Sequence, residues 1–357
     1  MVKFFSKTRL KTGILIIVFS ALFCILFVLS ALGGLRYFIP YYFEIAGPPF
    51  SEKSYLVLFQ NEKQLTPSGG AITRYGIIRF SNGFFAGLEK KDTPIIACTD
   101  PDFTKCLPET GEIYDGIFAV NSRIYEKLKD TSFSPLAWRN ISDIIVRGLN
   151  EKDIQLNFFS GNLQKKISAK GWSSKMSVPR KDFLAIVDSN ISGNNVNQYI
   201  KRDIDYRVDL SDFKAKLTVT LENFAPSLTE HDDNTYKSEL KIYLAPGTEL
   251  QKAAVLTLPV ESLEYAIYST NITLKPGDRK VVDYTFIMSE EILKENSYHL
   301  DIIKQPGTNQ DYYSVIVENP QKWTPASSDF EITDNTAVWR GFLNKDASLN
   351  FSITKNP

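Results

Sequence analysis

The chain has 357 residues, enough for two domains or for one domain with appendages. Its 41 Lys and Arg balance 41 Asp and Glu, which excludes a generally basic nucleic-acid binder, so we expect no nucleic-acid partner. An apolar content of 43% excludes a wholly disordered chain, and two His with three Cys exclude multi-histidine and four-cysteine metal centres, so we expect no metal and no cofactor.

An uncharged apolar run at residues 14–35 predicts a transmembrane helix over residues 13–36. As a helix the run is about 33 Å long, slightly more than the roughly 30 Å hydrocarbon core of a bilayer. By the positive-inside rule, residues 1–12 form a cytoplasmic tail and the rest of the chain is extracytoplasmic. Four basic residues and no acidic residue precede the run: Lys3, Lys7, Arg9 and Lys11.

Two other interpretations of this segment stay open. Ala31 and Gly33 form a small-x-small pattern, as in the cleavage site of a signal peptide, although the apolar run is longer than such peptides need. Cys24 would suggest a lipoprotein, but the two residues before it are bulky. We therefore predict a single-pass cell-membrane protein, with residues 37–53 as the linker to its ectodomain and the linker's first aromatic residues at the membrane interface.

Two cysteines, Cys98 and Cys106, follow the membrane segment at a separation of eight positions. An oxidising exterior permits a disulfide between them. Asp100-Pro101-Asp102 predicts a turn that brings the two cysteines together, and closing this loop would stabilise the fold by roughly 2.5 kcal/mol. The alternative is a pair of free thiols.

Residues 54–204 alternate between strand and helix patterns, which predicts an α/β domain. Apolar runs predict strands at 55–59, 75–80, 84–88, 116–120 and 183–187. Asn82-Gly83 predicts a hairpin turn between the second and third of them. Helical spacing of apolar residues predicts helices near 122–128, 141–149 and 160–170.

The sequence pattern of residues 205–320 is typical of a β-sandwich. Leu217, Val219 and Leu221 alternate with threonines, and short strand candidates recur as far as 312–317. Pro-Gly turns separate several of them, which predicts an immunoglobulin-like sandwich, and residues 321–357 are C-terminal strands or a tail. The predicted fold class is thus α+β multidomain: a transmembrane helix, an α/β domain and an immunoglobulin-like β-sandwich.

Catalytic motifs are missing from the sequence. It has no Walker loop, HExxH, GxSxG or CxxC motif. A Ser-His-Asp triad would need His231 or His299, which we interpret as a solvated loop residue and a sheet-surface residue.

The loop between the first two predicted strands is a candidate anion site. Ligands collect at strand ends in α/β sheets, and a glycine pair can present backbone amides to an anion, with nearby arginines to pair with phosphate. The alternative is a turn that needs glycine, beside arginines on a solvated face. The candidate ligand-binding residues here are Gln60, Asn61, Gly69, Gly70, Arg74 and Arg79.

A second polar loop follows the strand at 183–187. Asp188 and Asn190 are its candidate ligand-binding residues, although such side chains also serve in turns and caps. A single carboxylate makes a poor calcium site.

Four stretches together resemble a bacterial family of membrane-anchored envelope proteins, the domain of unknown function numbered four thousand and twelve. The resemblance covers about residues 54–250. The stretches are residues 55–83, 113–121, 163–172 and 182–210.

The chain departs from the family pattern at three charged positions. Gln64 replaces an acidic residue, Thr66 an arginine and Asn195 a lysine. If those groups bind phosphate or sugar in the family, this chain has lost most of that charge. The strand order is also similar to the LytR-CpsA-Psr domain, which implies transfer of wall glycopolymers from lipid pyrophosphate carriers, a fold-level analogy.

Two functions follow as hypotheses. The first is a non-catalytic, membrane-anchored module that binds a cell-wall glycopolymer, a lipid-linked sugar or an envelope protein. The alternative is a divergent LytR-CpsA-Psr-like transferase that uses Arg74 and Arg79 on a lipid-linked pyrophosphate. The second requires these arginines to converge with Asn61, Gly69 and Gly70 on one cleft.

Overall fold

A computed structural model describes residues 39–129, 137–179, 181–227, 234–308, 311–318, 323–326, 329–333 and 336–355. Strands account for 51% of residues and helices for 16%, so the protein is mostly β, with three mixed sheets in this part of the chain. The predicted α+β multidomain class, with its α/β domain and immunoglobulin-like sandwich, is wrong. The predicted membrane helix lies outside the described residues, and no helix within them is both long and apolar enough to cross a bilayer.

The first sheet has five strands in the order β3-β2-β1-β4-β5. Only β1 and β4 pair in parallel. Between them the chain forms the antiparallel strands β2 and β3 instead of a crossover helix, so this is not the sheet of an α/β domain. Asn82 and Gly83 have φ angles of 54° and 80° and form the predicted turn between β2 and β3. The strands are β1 (Glu52–Asn61), β2 (Ala71–Ser81), β3 (Phe84–Ile96), β4 (Gly116–Asn121) and β5 (Ile154–Phe158).

Helices cover one face of this sheet. Ile124, Leu149, Leu163 and Ile167 pack against Tyr55 in a shared core. The described helices are α1 (Ile39–Ala46), α2 (Ser122–Lys129), α3 (Ala137–Asn150) and α4 (Gly161–Ala169).

Phe103 covers the other face of the sheet. It lies in a short 3-10 helix at Phe103–Lys105, fully buried against Leu56, Leu58 and Ile117. Cys98 and Cys106 flank this helix and form a disulfide. The disulfide therefore holds the 3-10 helix, and with it Phe103, against this second core.

Two seven-stranded sheets form the rest of the protein. Their orders are β10-β13-β8-β7-β15-β18-β17 and β11-β12-β9-β6-β14-β19-β16. Fourteen strands with parallel pairs β6/β14 and β7/β15 do not match the seven to nine antiparallel strands of an immunoglobulin fold. The strands are β6 (Asp182–Asn190), β7 (Ile200–Asp209), β8 (Lys214–Asn223), β9 (Tyr236–Leu244), β10 (Glu249–Ala253), β11 (Leu258–Val260), β12 (Ala266–Leu274), β13 (Arg279–Ile287), β14 (Ser297–Ile303), β15 (Tyr312–Glu318), β16 (Trp323–Ala326), β17 (Glu331–Thr333), β18 (Thr336–Phe342) and β19 (Ala347–Lys355).

The largest core lies between these two sheets. Inward residues of β6 and β9, such as Leu184 and Leu240, meet inward residues of β7 and β8, such as Val208 and Leu217. Strand β6 is buried along its whole length and pairs with β9 and β14. It belongs to the sandwich, although its place in the sequence predicted it in the N-terminal domain. Described residues after 321 complete both sheets as β16 to β19.

Candidate functional site

The loop from Asn61 to Gly70 does not present its amides to a ligand. Thr66, Ser68 and Gly70 are buried, and the loop uses its own donors: the Gly69 amide donates to the Thr66 carbonyl at 3.0 Å, and the Gly70 amide donates to Thr66 Oγ1 at 3.1 Å. The predicted anion nest is therefore closed, and the interpretation of a turn that needs glycine describes it better.

The loop is a joint between the first sheet and the sandwich. Gln60 and Gln155 both donate to the Ser68 carbonyl, at 3.2 and 2.9 Å. From the sandwich, Gln305 donates to the Thr66 carbonyl at 3.1 Å. The backbone of Gly307 lies so close that an added Cβ would be 1.8 Å from the Gly69 oxygen. Gln60, predicted to bind a ligand, instead holds this joint.

Arg74 and Arg79 do not join these glycines. Both lie on β2 at the surface, where Arg74 pairs with Asp92 at 3.0 Å and Arg79 pairs with Glu112 at 2.8 Å. Neither lines a cleft with Asn61 or the glycines. The constellation that the transferase hypothesis requires is not assembled.

The second predicted loop is also structural. Asn190 donates to the Asn194 carbonyl at 2.9 Å and to Asn197 Oδ1 at 2.6 Å. Asn61 reaches the same loop and donates to Asn195 Oδ1 at 2.8 Å. These amides tie the first loop to the sandwich.

Asp188 is a buried acceptor at the end of β6. It accepts hydrogen bonds from the Tyr236 hydroxyl and from the Ser238 hydroxyl, and Arg202 Nη1 lies 3.9 Å away. Burial raises the pKa of Asp188, more than Arg202 and the hydroxyls lower it.

A charged cleft that the sequence did not predict lies where the first sheet and its helices, which we call the first unit, meet the sandwich. Its volume is about 580 Å³, and an adjoining cavity of about 200 Å³ shares Arg123, Arg202 and Asp311 with it. Acidic side chains on its wall are Glu151, Asp153 and Asp311. Twice as many cationic side chains line it: Arg123, Lys127, Arg147, Lys201, Arg202 and Lys304.

Arg202 forms the floor of the cleft. Its guanidinium makes a two-point contact with Asp311, and Nη1 donates to Gln305 Oε1 at 3.2 Å. Burial would lower the pKa of Arg202, but the charge and hydrogen bonds of Asp311 raise it above its usual value. Arg202 is therefore a charged, fully paired structural group.

Lys304, beside it on the wall, has a different environment. The side chain is 97% buried, and among the described residues no carboxylate lies within ion-pair distance of Nζ. Nζ donates instead to the carbonyls of Gln305 and Thr308, both at 3.1 Å. Burial lowers the pKa of Lys304 to about 8, although Asp153 and Asp311 act to raise it. A buried ammonium without a direct ion pair favours an anion in the adjoining space.

The rim carries the remaining cations. Arg147 on α3 is exposed, and its side chain makes no hydrogen bond or ion pair with any described residue. Lys201 forms a direct ion pair with Asp203 at the surface, with 2.8 Å between Nζ and Oδ2. Arg123 bridges the two units, from Asp153 at 2.9 Å to the Gly307 carbonyl at 2.9 Å.

The cleft was hard to predict from the sequence because its charged residues come from four separate segments of the chain. The one local signal is the spacing of Arg123 and Lys127, which places two cations on one face of α2. His299 lies in β14 beside Asp301, at 2.9 Å, as a sheet-surface residue, and His231 lies outside the described residues. No group of three or more His, Cys, Asp or Glu in the described segments could hold a metal ion.

No family model matches the chain, and no curated protein matches its sequence. Among solved structures, a protein described as nutrient-binding from Legionella pneumophila is similar at 11% identity and a TM-score of 0.32, over 48% of this chain and 71% of that one. Leukotriene A4 hydrolase from Saccharomyces cerevisiae is similar at 11% identity and a TM-score of 0.27, over 44% of this chain and 29% of that one. An M1 zinc metallopeptidase from Deinococcus radiodurans is similar at 11% identity and a TM-score of 0.25, over 43% of this chain and 42% of that one. The chain spans less than half the length of both enzymes.

Proposed function

We propose that the chain is a single-pass, membrane-anchored envelope protein that binds an anionic group in the charged cleft without catalysis. The anchor rests on the uncharged 22-residue run at 14–35 and its basic N-terminal flank. The ligand class rests on one observation: Lys304 is buried on the wall of an open cleft, with no carboxylate partner among the described residues.

The chemistry of the cleft favours phosphate. Arg147 and Lys201 on the rim and Lys304 on the wall supply donors from separate elements, as recognition of a tetrahedral anion requires. A phosphate-bearing wall glycopolymer or lipid-linked sugar provides that group outside the membrane. The transferase alternative draws less support, because Arg74 and Arg79 are paired at the surface away from the cleft.

Calorimetric titration of the full-length protein in detergent micelles tests this proposal. The probes are inorganic pyrophosphate and a short-chain polyprenyl pyrophosphate, each at two salt concentrations. We expect Arg147→Ala/Lys304→Gln to weaken both affinities and to reduce their salt dependence. Tighter binding of the lipid-linked probe than of pyrophosphate by the wild-type protein would identify the carrier lipid as the source of the phosphate.

The matched control is Arg74→Ala/Arg79→Ala, which also removes two cations but leaves the cleft intact. Equal losses in the two double variants would mean that bulk charge, not the cleft, attracts the probes. Absence of binding to the wild-type protein would overturn the proposed ligand class.

A further inference from the structure

The tip of the β2–β3 hairpin exposes an apolar patch. Phe84 and Phe85 are 63% and 62% exposed, and Leu88 is 41% exposed. Phe50, 98% exposed, joins them because its amide donates to Asn82 Oδ1 in the hairpin turn at 3.0 Å. We call these four residues the hairpin patch. Large apolar side chains grouped at one exposed tip indicate a binding surface.

Contacts with α1 place the hairpin patch close to the start of the described chain. The Tyr42 hydroxyl donates to the Gly83 carbonyl at 2.8 Å, and the Asn82 amide donates to the Ser51 carbonyl at 2.9 Å. Helix α1 is in turn fixed to the first sheet, where the Tyr55 hydroxyl donates to the Ile45 carbonyl at 2.7 Å. The hairpin turn therefore keeps a set position relative to α1.

The predicted membrane segment ends three residues before α1. Three residue steps span at most about 11 Å, so the proposed anchor brings α1 and the adjoining hairpin to the outer membrane interface. Phenylalanine and leucine side chains on a tip at that level enter the boundary between head groups and acyl chains. No such link to the anchor exists for Leu263, which is fully exposed on the sandwich.

We infer that the hairpin patch inserts into the outer leaflet and fixes the orientation of the ectodomain on the bilayer. The inference rests on the proposed anchoring. Its occupant is the lipid bilayer, and its chemistry is apolar, so contact persists on zwitterionic lipid and at high salt. The anchor and the hairpin patch would then hold the ectodomain at two points, so the cleft would keep a constant angle to the membrane surface.

Tryptophan quenching in proteoliposomes tests the inference. The full-length Phe84→Trp variant is reconstituted in phosphatidylcholine with brominated acyl chains, and its fluorescence is compared with that of the wild type, which has four tryptophans. We expect a loss of fluorescence beyond that of the wild type, unchanged at high salt. The matched control, Leu263→Trp, places the same probe at an exposed apolar site without a link to the anchor and should show no added loss.

A second measurement separates the inference from the proposed anchoring. Retention of the protein in the vesicles after a carbonate wash reports the anchor alone. Retention with equal quenching of the Phe84→Trp and Leu263→Trp variants would overturn the hairpin contact and leave the anchor intact. Loss of the protein in the wash would overturn the anchor and, with it, the inference. Near-wild-type thermal unfolding of both variants shows that each is folded.

Discussion

The buried carboxyl group of Asp182 links the stability of the sandwich to pH. Asp182, at the start of β6, accepts hydrogen bonds from the hydroxyls of Tyr206 and Tyr298. Its amide neighbour Phe183 donates to it at 2.8 Å. Burial raises the pKa of Asp182 from its ordinary 3.8 to about 6, because these three donors offset only part of the desolvation.

The sign of the effect follows from the direction of the shift. A raised pKa means that the folded protein binds the proton more tightly than the unfolded chain does. The stabilisation is therefore complete below the unfolded pKa and is lost as pH rises through about 6. At about 1.4 kcal/mol per pKa unit, the loss in free energy of unfolding is about 3 kcal/mol.

Asp182→Asn removes this titration. We expect the free energy of unfolding of the variant, relative to wild type, to rise by about 3 kcal/mol between acidic and neutral pH. Urea denaturation across that range measures it. Asp205→Asn, which removes a surface carboxylate paired with Arg207, is the control and should leave the pH profile nearly unchanged. Parallel profiles for wild type and Asp182→Asn would contradict the assignment.

The lowered pKa of Lys304 predicts a pH dependence of anion binding. The groups that act on its charge are Asp153 and Asp311, which favour the ammonium, and Arg123 and Lys152, which oppose it. With a pKa of about 8, Lys304 is charged at neutral pH and loses its proton above it. Anion binding should therefore weaken as pH rises through about 8.

Sulfate is the probe for this test because its charge is constant over the range. We expect Lys304→Gln to bind sulfate about tenfold more weakly at neutral pH, and to lose the fall in affinity at higher pH. The fold should persist, since the Gln305 and Thr308 carbonyls also accept hydrogen bonds from Thr308 and Arg123. A Lys304→Gln variant with the wild-type pH profile would remove Lys304 from the site.

Elements of regular structure were predictable where a local pattern sufficed. Apolar runs identified the strands β1, β4 and β6, and Asn82-Gly83 identified the hairpin turn. Partners were not predictable, because an apolar run does not specify its neighbour in a sheet. Strand β6 was predicted to belong to the α/β domain at 54–204 but pairs with β9 and β14 of the sandwich. The sequence also predicts two separate strands at 264–268 and 271–274, where the structure has the single strand β12, since Asn271 faces solvent without ending it.

Two glycines in similar Pro-Gly turns distinguish the cost of local backbone strain from the cost of lost packing between the first sheet and the sandwich. Gly307 and Gly277 both have left-handed φ angles, 77° and 84°. An added Cβ at Gly307 would be 1.8 Å from the Gly69 oxygen, whereas the space around Gly277 is open. We expect Gly277→Ala to cost about 1 kcal/mol in free energy of unfolding, and Gly307→Ala about 2 kcal/mol more. Thermal and urea unfolding measure both, and equal costs would mean that the close approach is not rigid.

At the scale of the whole molecule, the joint between the first unit and the sandwich was beyond sequence reasoning. Gly69, one of the glycine pair predicted as an anion nest, carries a real constraint, but the constraint is contact with Pro306 and Gly307, more than two hundred residues later. The charged lining of the cleft comes from α2, from α3 and the residues just after it, from β7, and from Lys304 and Asp311. A site of this kind exists only after the units dock, since no single segment contains its charge pattern.

Arg123 is one of the residues that couple the two units. It pairs with buried Asp153 in the first unit and donates to the Gly307 and Thr308 carbonyls of the sandwich, at 2.9 and 3.3 Å. Among the described residues, Arg123→Ala leaves the buried carboxylate of Asp153 with only the Asn121 side chain as a donor. Because Arg123 is partly exposed, we expect a cost of about 2 kcal/mol, less than for a fully buried pair. Hydrogen exchange should increase at residues 64–70 and at 304–308 together.

Two further variants distinguish coupling from simple loss of charge. Arg79→Ala removes an exposed arginine of the same unit, paired with Glu112, and should cost less than about 1 kcal/mol. Arg123→Ala/Asp153→Asn removes both charges and should recover part of the lost stability, because the uncompensated carboxylate is gone. If the exchange increase stays within the first unit, Arg123 stabilises α2 alone, and the cleft has no continuous wall between its two halves.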